Sequence, residues 1–345
     1  DLTIGARWFD RTMDKQYWTE LPPGNRGLEG DANGILRPTS DDSDVIPKIS
    51  LKYQVSDNAM VYGLYSEGFR PGGTNRGRGI PFFPQEFNSD LLENIELGIK
   101  TELADGRVRL NATYFDMSWN DYQLEMIDPS NVPCGEEGAL AEPHCGQPWQ
   151  KVVANVGNAS SQGLEINLDA AVNEQMSLGI NTTWLDATAD EEINATITVP
   201  AGSRLPLSPE FKASAHMTWE WPVSWMNGNA NAAYFRVQAS HVGDMLNQVE
   251  PYPYINGFAD GAYLGAEGAN PSPQLVQPSY TIADVRFGVI GDDWSVQLFV
   301  NNLTDERAVL FDNPNEFDRF FDNRGRQTVN RPREFGVRFI KQFSQ

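Results

Sequence analysis

The sequence has no long hydrophobic run. Nothing in it approaches the ~18 consecutive apolar residues of a membrane-spanning helix. It is short of basic charge: 26 Lys and Arg stand against 47 Asp and Glu, a net charge of −21. That balance excludes nucleic acid as a partner, because nucleic acid needs a net basic footprint. Only three histidines and two cysteines occur in 345 residues. Helical periodicity is nearly absent. The chain does not start with Met, and Asp1 to Phe9 already read as a strand. Such a start reads as processed or truncated. Hydropathy alone describes a soluble protein. A membrane β-barrel, however, needs only every second residue to be apolar.

Period-two alternation runs through the whole chain. Ile49, Leu51, Tyr53 and Val55 alternate with Lys48, Ser50, Lys52 and Gln54. Ile95, Leu97 and Ile99 oppose Asn94, Glu96 and Lys100, and Leu164, Ile166 and Leu168 oppose Glu165, Asn167 and Asp169. Val285, Phe287 and Val289 oppose Asp284, Arg286 and Gly288. This pattern predicts twelve strands, starting near residues 2, 48, 59, 90, 107, 151, 175, 209, 229, 278, 293 and 331. Many are ten residues or longer, against about 5–6 for an average globular strand. The apolar face of 59–69 and of 229–244 is ambiguous at this level.

The connections alternate in length. Short ones fall at 57–58, 104–106, 173–174, 222–228 and 291–293 and carry hairpin-turn residues. Long ones fall at 18–47, 70–89, 128–150, 189–208, 245–277 and 311–330. All long loops therefore lie at one end of the sheet. A soluble sandwich has no reason to sort its loops so, whereas outer-membrane barrels do. The lumen of a barrel of twelve or more strands is too wide for side chains to fill. An apolar face lining it would gain nothing, so the apolar face is predicted to meet lipid. Tyr17, Trp18, Trp119, Tyr122, Trp221, Trp225 and Trp294 sit near strand ends and read as interface girdles.

Several segments resemble one family. Val61-Tyr62-Gly63-Leu64-Tyr65-Ser66-Glu67-Gly68-Phe69-Arg70-Pro71-Gly72-Gly73 resembles a strand-to-loop motif of TonB-dependent outer-membrane receptors. Glu93 to Lys100, Asn111 to Phe115 and Asn155 to Glu165 are similar to strands of the same family. Val300-Asn301-Asn302-Leu303-Thr304-Asp305-Glu306 and Pro332 to Phe339 resemble its closing strands. The resemblance implies a barrel of about 22 strands closed by an N-terminal plug. Residues 1–345 then read as a single barrel domain, the C-terminal part of a transmembrane antiparallel up-and-down all-β barrel. The first strands and the plug lie outside this sequence. The resemblance also implies partners: the TonB energy-coupling complex through the plug, lipopolysaccharide and outer-membrane lipid, and a small-molecule ligand. The implied activity is active import of siderophore-iron, a vitamin, a carbohydrate or another organic across the bacterial outer membrane. A passive porin and a soluble secreted β-rich binding module are the alternatives.

Catalysis has little support. His216 is predicted to face the lumen, His241 lies near a strand end and His144 lies in a loop, with no Ser-His-Asp grouping or nucleophile elbow. Cys134 and Cys145 are close together in a Pro/Gly-rich stretch and read as a local disulfide in an oxidising compartment. With His144 they make three ligands without paired spacing, so no metal site and no cofactor is expected. Arg70, Arg76 and Arg78 form a basic, glycine-rich stretch in an acidic chain. Guanidinium grips carboxylate or phosphate in a bidentate way, so these are candidates for an anionic ligand. Lipopolysaccharide contact or plain solvation is the other reading. Asp41, Asp42 and Asp44 read as a solvated acidic loop rather than a calcium site. Trp149, Tyr252, Tyr254, Arg319, Phe320, Phe321 and Arg324 supply external aromatics and charges, which suit ring-containing ligands.

Overall fold

A computed structural model describes residues 1–16, 39–75, 83–127, 151–194, 198–225, 230–247, 276–313 and 326–343. Twelve long strands form one antiparallel sheet in strict chain order. They are β1 (Leu2–Asp14), β2 (Thr39–Ser56), β3 (Ala59–Arg70), β4 (Asp90–Leu103), β5 (Val108–Asn120) and β6 (Ala159–Ala171). The remaining six are β7 (Met176–Ala189), β8 (Phe211–Trp225), β9 (Ala230–Val242), β10 (Tyr280–Gly291), β11 (Trp294–Asn301) and β12 (Glu334–Lys341). Among the described residues there is no helix, and β1 and β12 each have one edge without a partner strand. The sheet is thus an open arc of barrel wall, not a closed ring.

Ladder register carries the apolar pattern from strand to strand. One row runs Leu2, Leu51, Gly63, Leu97, Tyr114, Leu164, Trp184, Phe211 across eight strands. Another runs Leu103, Val108, Ala170, Leu178, Met217, Val237, Val285, Val300, Phe335 across nine. No polar side chain interrupts either. The opposite face carries Lys100, Asn111, Asn167, Asn181, Ser214 and Ser240 in one row. The row Ile4, Ile49, Tyr65, Ile95 continues into Asp116, Gln162 and Asp186. A tilted strand explains the change, since a hydrogen-bonded row then climbs out of the apolar band.

Ile49, Leu51 and Val55 are 45, 58 and 57% exposed. Val285, Phe287 and Val289 are half-buried, and none of the six lies in a dry interior. The greasy face therefore looks away from the chain. The aromatic residues that bound it are partly those expected. Trp219 and Trp221 pack at 5.0 Å, with Phe287 beside Trp221, toward the short-turn end. Trp184, Phe211 and His241 form the matching cluster toward the long-loop end, at 5.4 and 5.8 Å. Phe211 and Trp221 stand ten residues apart on β8. At ~3.3 Å per residue and a ~40° tilt that is ~25 Å, the height of an outer-membrane apolar band. Trp294 shares the outer face with Leu298 and Val300. Trp119 and Tyr122 are not girdle residues. Trp119 alternates with Tyr114 onto the inner face, and both rings pack against the buried cluster of Leu124, Val152 and Leu205. Tyr17 and Trp18 lie outside the described residues, as does the side chain of Trp225.

The inner face keeps its bore open by a repeated device. Tyr62 lies over Gly98, Phe115 over Gly163, His216 over Gly179, Tyr234 over Gly288 and Phe299 over Gly336. Each pair is directly opposed on neighbouring strands. A Cβ on any of these glycines would stand 2.2–2.6 Å from the ring. Glycine leaves a notch in the wall and the aromatic ring fills it lying down.

Two strand limits differ from expectation. β2 begins at Thr39, not near 48, so Asp41, Asp42 and Asp44 are strand residues rather than a loop. The strand expected from 151 begins at Ala159. Residues Lys151–Asn155 instead pair with Gln123–Ile127 as a hairpin beyond the wall. Replacing Leu97 by Arg is expected to destabilise the membrane-inserted barrel by ~2–4 kcal/mol. Asn167→Arg, on the inner face, should have much less effect. Urea unfolding in lipid vesicles distinguishes them, and equal sensitivity would reverse the faces.

Candidate functional site

The site lies at the long-loop end, where buried polar side chains tie neighbouring hairpins together. Its centre is Asp90, the first residue of β4, only 1% exposed. Arg70, at the end of β3, is its cross-strand partner. Arg70 donates to Asp90 through its backbone N at 3.1 Å, its Nε at 2.8 Å and its Nη2. The Gln123 backbone N donates to the same carboxylate at 3.1 Å. Arg70 Nη2 also reaches the Gln123 carbonyl at 3.0 Å. The Gln123 amide in turn donates to the carbonyls of Pro71 and Asn88 at 3.1 and 2.8 Å. The Tyr122 ring lies 5.0 Å from the guanidinium, a cation–π contact. Burial raises the Tyr122 phenol above 10.0, the neighbouring guanidinium pulling the other way.

Short side chains extend the tie. Asn75 accepts from Val153 N and donates to Val153 O, both at 2.7 Å, as a strand residue would. Asn155 accepts from Asn88 N at 2.8 Å and donates to Asp121 O at 2.7 Å. Asp42, on β2, pairs with Arg11 at 3.5 Å and accepts from Gly72 N at 3.1 Å. The acidic stretch is thus a wall-to-rim tie on its inner side.

The last third of the rim uses the same chemistry. Asn302 sits in left-handed backbone, φ 53°, immediately after β11. Its side chain donates to Glu306 O and Arg331 O at 2.9 and 3.0 Å and accepts from Glu306 N at 2.8 Å. Asn330 donates to Glu306 O and accepts from Ala308 N. Arg204 bridges Glu210 at 3.2 Å and Asp244 at 2.9 Å. The Arg204 hydrogen bond holds the Asp244 carboxyl below its ordinary range, slight burial opposing it.

Of the ligand candidates read from sequence, Arg70 is described: half its side chain is exposed, and the donors named above face Asp90 and Gln123. Arg76, Arg78, Trp149, Tyr252, Tyr254, Arg319, Phe320, Phe321 and Arg324 lie outside the described residues. So do Cys134, His144 and Cys145. His216 is on the inner face, as expected, lying over Gly179. His241 is on the outer face and its Nδ1 is 2.9 Å from Thr281 Oγ1. Among the described residues, no group of three His, Cys, Asp or Glu is placed to hold a metal ion. Asp90, Gln123 and Asn75 escaped the sequence reading. The available signal for Asp90 was an acid at a strand start, opposite the arginine that ends the preceding strand.

A twelve-strand wall with an apolar outer band, a polar bore and all long connections on one side defines an outer-membrane barrel. Residues 1–303 match the family "TonB dependent receptor-like, beta-barrel", and the chain belongs to it. It is 25% identical over 244 residues to the metal-pseudopaline receptor CntO of Pseudomonas aeruginosa, covering 70% of this chain and 29% of that protein. It is 24% identical over 310 residues to the pesticin receptor of Yersinia pestis, covering 89% and 37%. The chain therefore spans about a third of the length of these relatives. Among solved structures, the ferric yersiniabactin uptake receptor FyuA from Yersinia pestis superposes with a TM-score of 0.62 at 20% identity. That match covers 90% of this chain and 40% of FyuA. The Escherichia coli ferric-catecholate import receptor Fiu, in its closed form, gives 0.63 at 18% identity, covering 98% and 41%. These structures establish the shared fold.

Asp90→Ala should loosen the rim without dissolving the wall. It leaves Arg70 and the Gln123 N–H without their acceptor, a loss of about 1–3 kcal/mol. Limited proteolysis is expected to cut within 71–89 and 121–158 sooner in the variant, at an unchanged unfolding midpoint of the barrel. The Asp244 contribution has a definite sign in pH. Its carboxyl titrates lower folded than unfolded, so the tie is complete above 3.8 and is lost as pH falls through the lowered value. Hydrogen exchange of peptides spanning 203–210 and 243–247, corrected for intrinsic rates, should rise in that window and in Arg204→Gln at neutral pH.

Proposed function

We propose that this chain is the barrel wall of a receptor that imports a scarce metal–siderophore complex across the outer membrane, driven by TonB. The observation that carries the reading is the joining of a wide polar bore to a rim held by buried side chains. A rim of that kind presents long loops from a fixed base, as selective capture requires. A passive pore needs the bore but not the fixed rim. The family and the relatives named above point the same way, to metal and siderophore receptors. In this reading residues 1–345 act as one barrel domain without catalysis. A plug in the remainder of the protein gates the bore and contacts TonB. Arg76 and Arg78, with the aromatics Trp149, Tyr252, Tyr254, Phe320 and Phe321, supply ligand contacts from the loops. Arg319 and Arg324 add charge there, Arg70 anchors the base, and lipopolysaccharide surrounds the outer band.

The test is uptake by cells carrying the complete gene, using a panel of siderophores loaded with radioactive iron. Uptake of at least one complex is expected to disappear on deleting either this gene or TonB. Uptake that survives TonB loss would identify a passive channel instead.

A further inference from the structure

Two arginines on the bore wall stand face to face. Arg236 of β9 and Arg286 of β10 are directly opposite in the ladder. Both lie on the inner face, because their neighbours Val237 and Val285 belong to the outer apolar row. Directly opposed residues have Cβ atoms about 4.5–5.5 Å apart, and like charges so placed destabilise a sheet. Arg236 Nη1 donates to Thr218 Oγ1 at 3.0 Å, a neutral partner. Arg286 Nη2 donates to Asn301 Oδ1 at 3.4 Å, also neutral.

Among the described residues the one carboxylate in ion-pair contact with either is Asp284, 4.0 Å from Arg286 Nη2. It forms an ion pair with Arg286, and the same carboxylate also accepts two neutral donors, so one negative charge faces two guanidinium groups. Oδ2 accepts from Gln238 Nε2 at 2.7 Å and Oδ1 from the Asn302 backbone N at 2.8 Å. Glu220 and Glu334 share this face, opposite Tyr234 and Asn301, and neither forms an ion pair with the arginines. Each guanidinium carries five N–H donors in a planar fork. Among the described residues the two guanidinium groups thus share one carboxylate and have donors to spare; they are half-buried on the wall of a chain of net charge −21.

We infer that Arg236 and Arg286 form an oxyanion site on the bore wall, their guanidinium groups turning from Thr218 and Asn301 to grip one carboxylate- or phosphate-type group. One bridging anion converts the opposed charges from a repulsive pair into two bidentate contacts. Thr218, Gln238 and Asn301 frame the site with neutral hydrogen-bonding groups. The group comes either from an acidic side chain elsewhere in the same polypeptide or from a diffusible solute. The inference rests on the bore-facing register and the contacts of the two side chains, and is independent of which cargo the receptor takes.

The test uses the full-length protein in detergent and chloride buffer, with citrate as the probe. Unfolding midpoints are measured for the wild type, Arg236→Gln and Arg286→Gln. Arg338→Gln, on the same face opposite Gln297, is the control. From an empty pair, removing Arg236, whose described partner is the neutral Thr218, should leave the midpoint unchanged or raise it; Arg286→Gln also gives up the Asp284 ion pair, so that variant is read by its citrate response. Removing one from a bridged pair should lower it. A lowered midpoint in both variants, with a wild type insensitive to citrate, identifies the protein's own carboxylate. A wild-type midpoint raised by citrate, and not raised in either variant, identifies a diffusible oxyanion. An Arg236→Gln variant at least as stable as wild type, with no citrate-dependent difference, overturns the site, as does an equal drop in the control. A second readout needs no variant. Arginine modification by phenylglyoxal, located by mass spectrometry, should be slow at both positions outright or slowed there by citrate. Modification of both at the rate of Arg338, with citrate or without, overturns the inference.

Discussion

The backbone hydrogen bond is the constraint from which this structure follows. In hydrocarbon an unpaired N–H or C=O has no water to turn to, so a spanning segment must satisfy its backbone completely. The meander does this strand by strand, each long strand pairing with its sequence neighbours from β1 to β12. Pairing in chain order needs only hairpins, which explains the short turns at one end. Ala104, Asp105 and Gly106 turn one of them through three consecutive left-handed residues, at φ 54°, 57° and 80°. Once the ladder is fixed, side chains can only alternate. A residue's face is then decided by parity, and chemistry follows from face.

Parity made most of the wall legible in the sequence. Rows such as Leu103 through Phe335 are period-two patterns stacked by register. What failed to show was everything parity does not govern. Asp41, Asp42 and Asp44 look like a loop because acids interrupt the apolar rhythm, yet Asp42 is on the inner face, where its partner is Arg11. Trp119 reads as a girdle residue by its nearness to a strand end, but its parity matches Phe115 and turns it inward. Lys151–Asn155 have strand composition and do form a strand, only in a hairpin that leaves the wall. The Asp90 tie joins residues 20 and 33 positions apart, a spacing no local pattern encodes.

The two ends of the strands answer different demands. Toward the short turns, hairpins close the ladder and little else is asked of them. Toward the long loops, chain leaves the wall and the ladder stops, so its terminal amides need new partners. Asn and Gln side chains supply them, each carrying both a donor and an acceptor. Asn75 with Val153, Asn155 with Asn88 and Asp121, and Asn302 with Glu306 and Arg331 are three instances of one solution. Neutral amides suit the task because they satisfy backbone without adding buried charge. Where a charge is used, at Asp90, several donors converge on it at once.

The bore wall shows the opposite economy. Rings lie flat in glycine notches, so the inner surface is smooth where side chains might have filled it. Against that lining, Arg236 and Arg286 project a concentrated charge whose nearest acid already serves Gln238 and Asn302. Stability within the wall gives no reason to place them so: a neutral pair would relieve the repulsion and keep the register. The ties described above match charge one for one, Asp90 with Arg70 and Asp42 with Arg11, whereas here two guanidinium groups share Asp284. The unbalanced pair is therefore the place where the wall is complete only when something enters the bore.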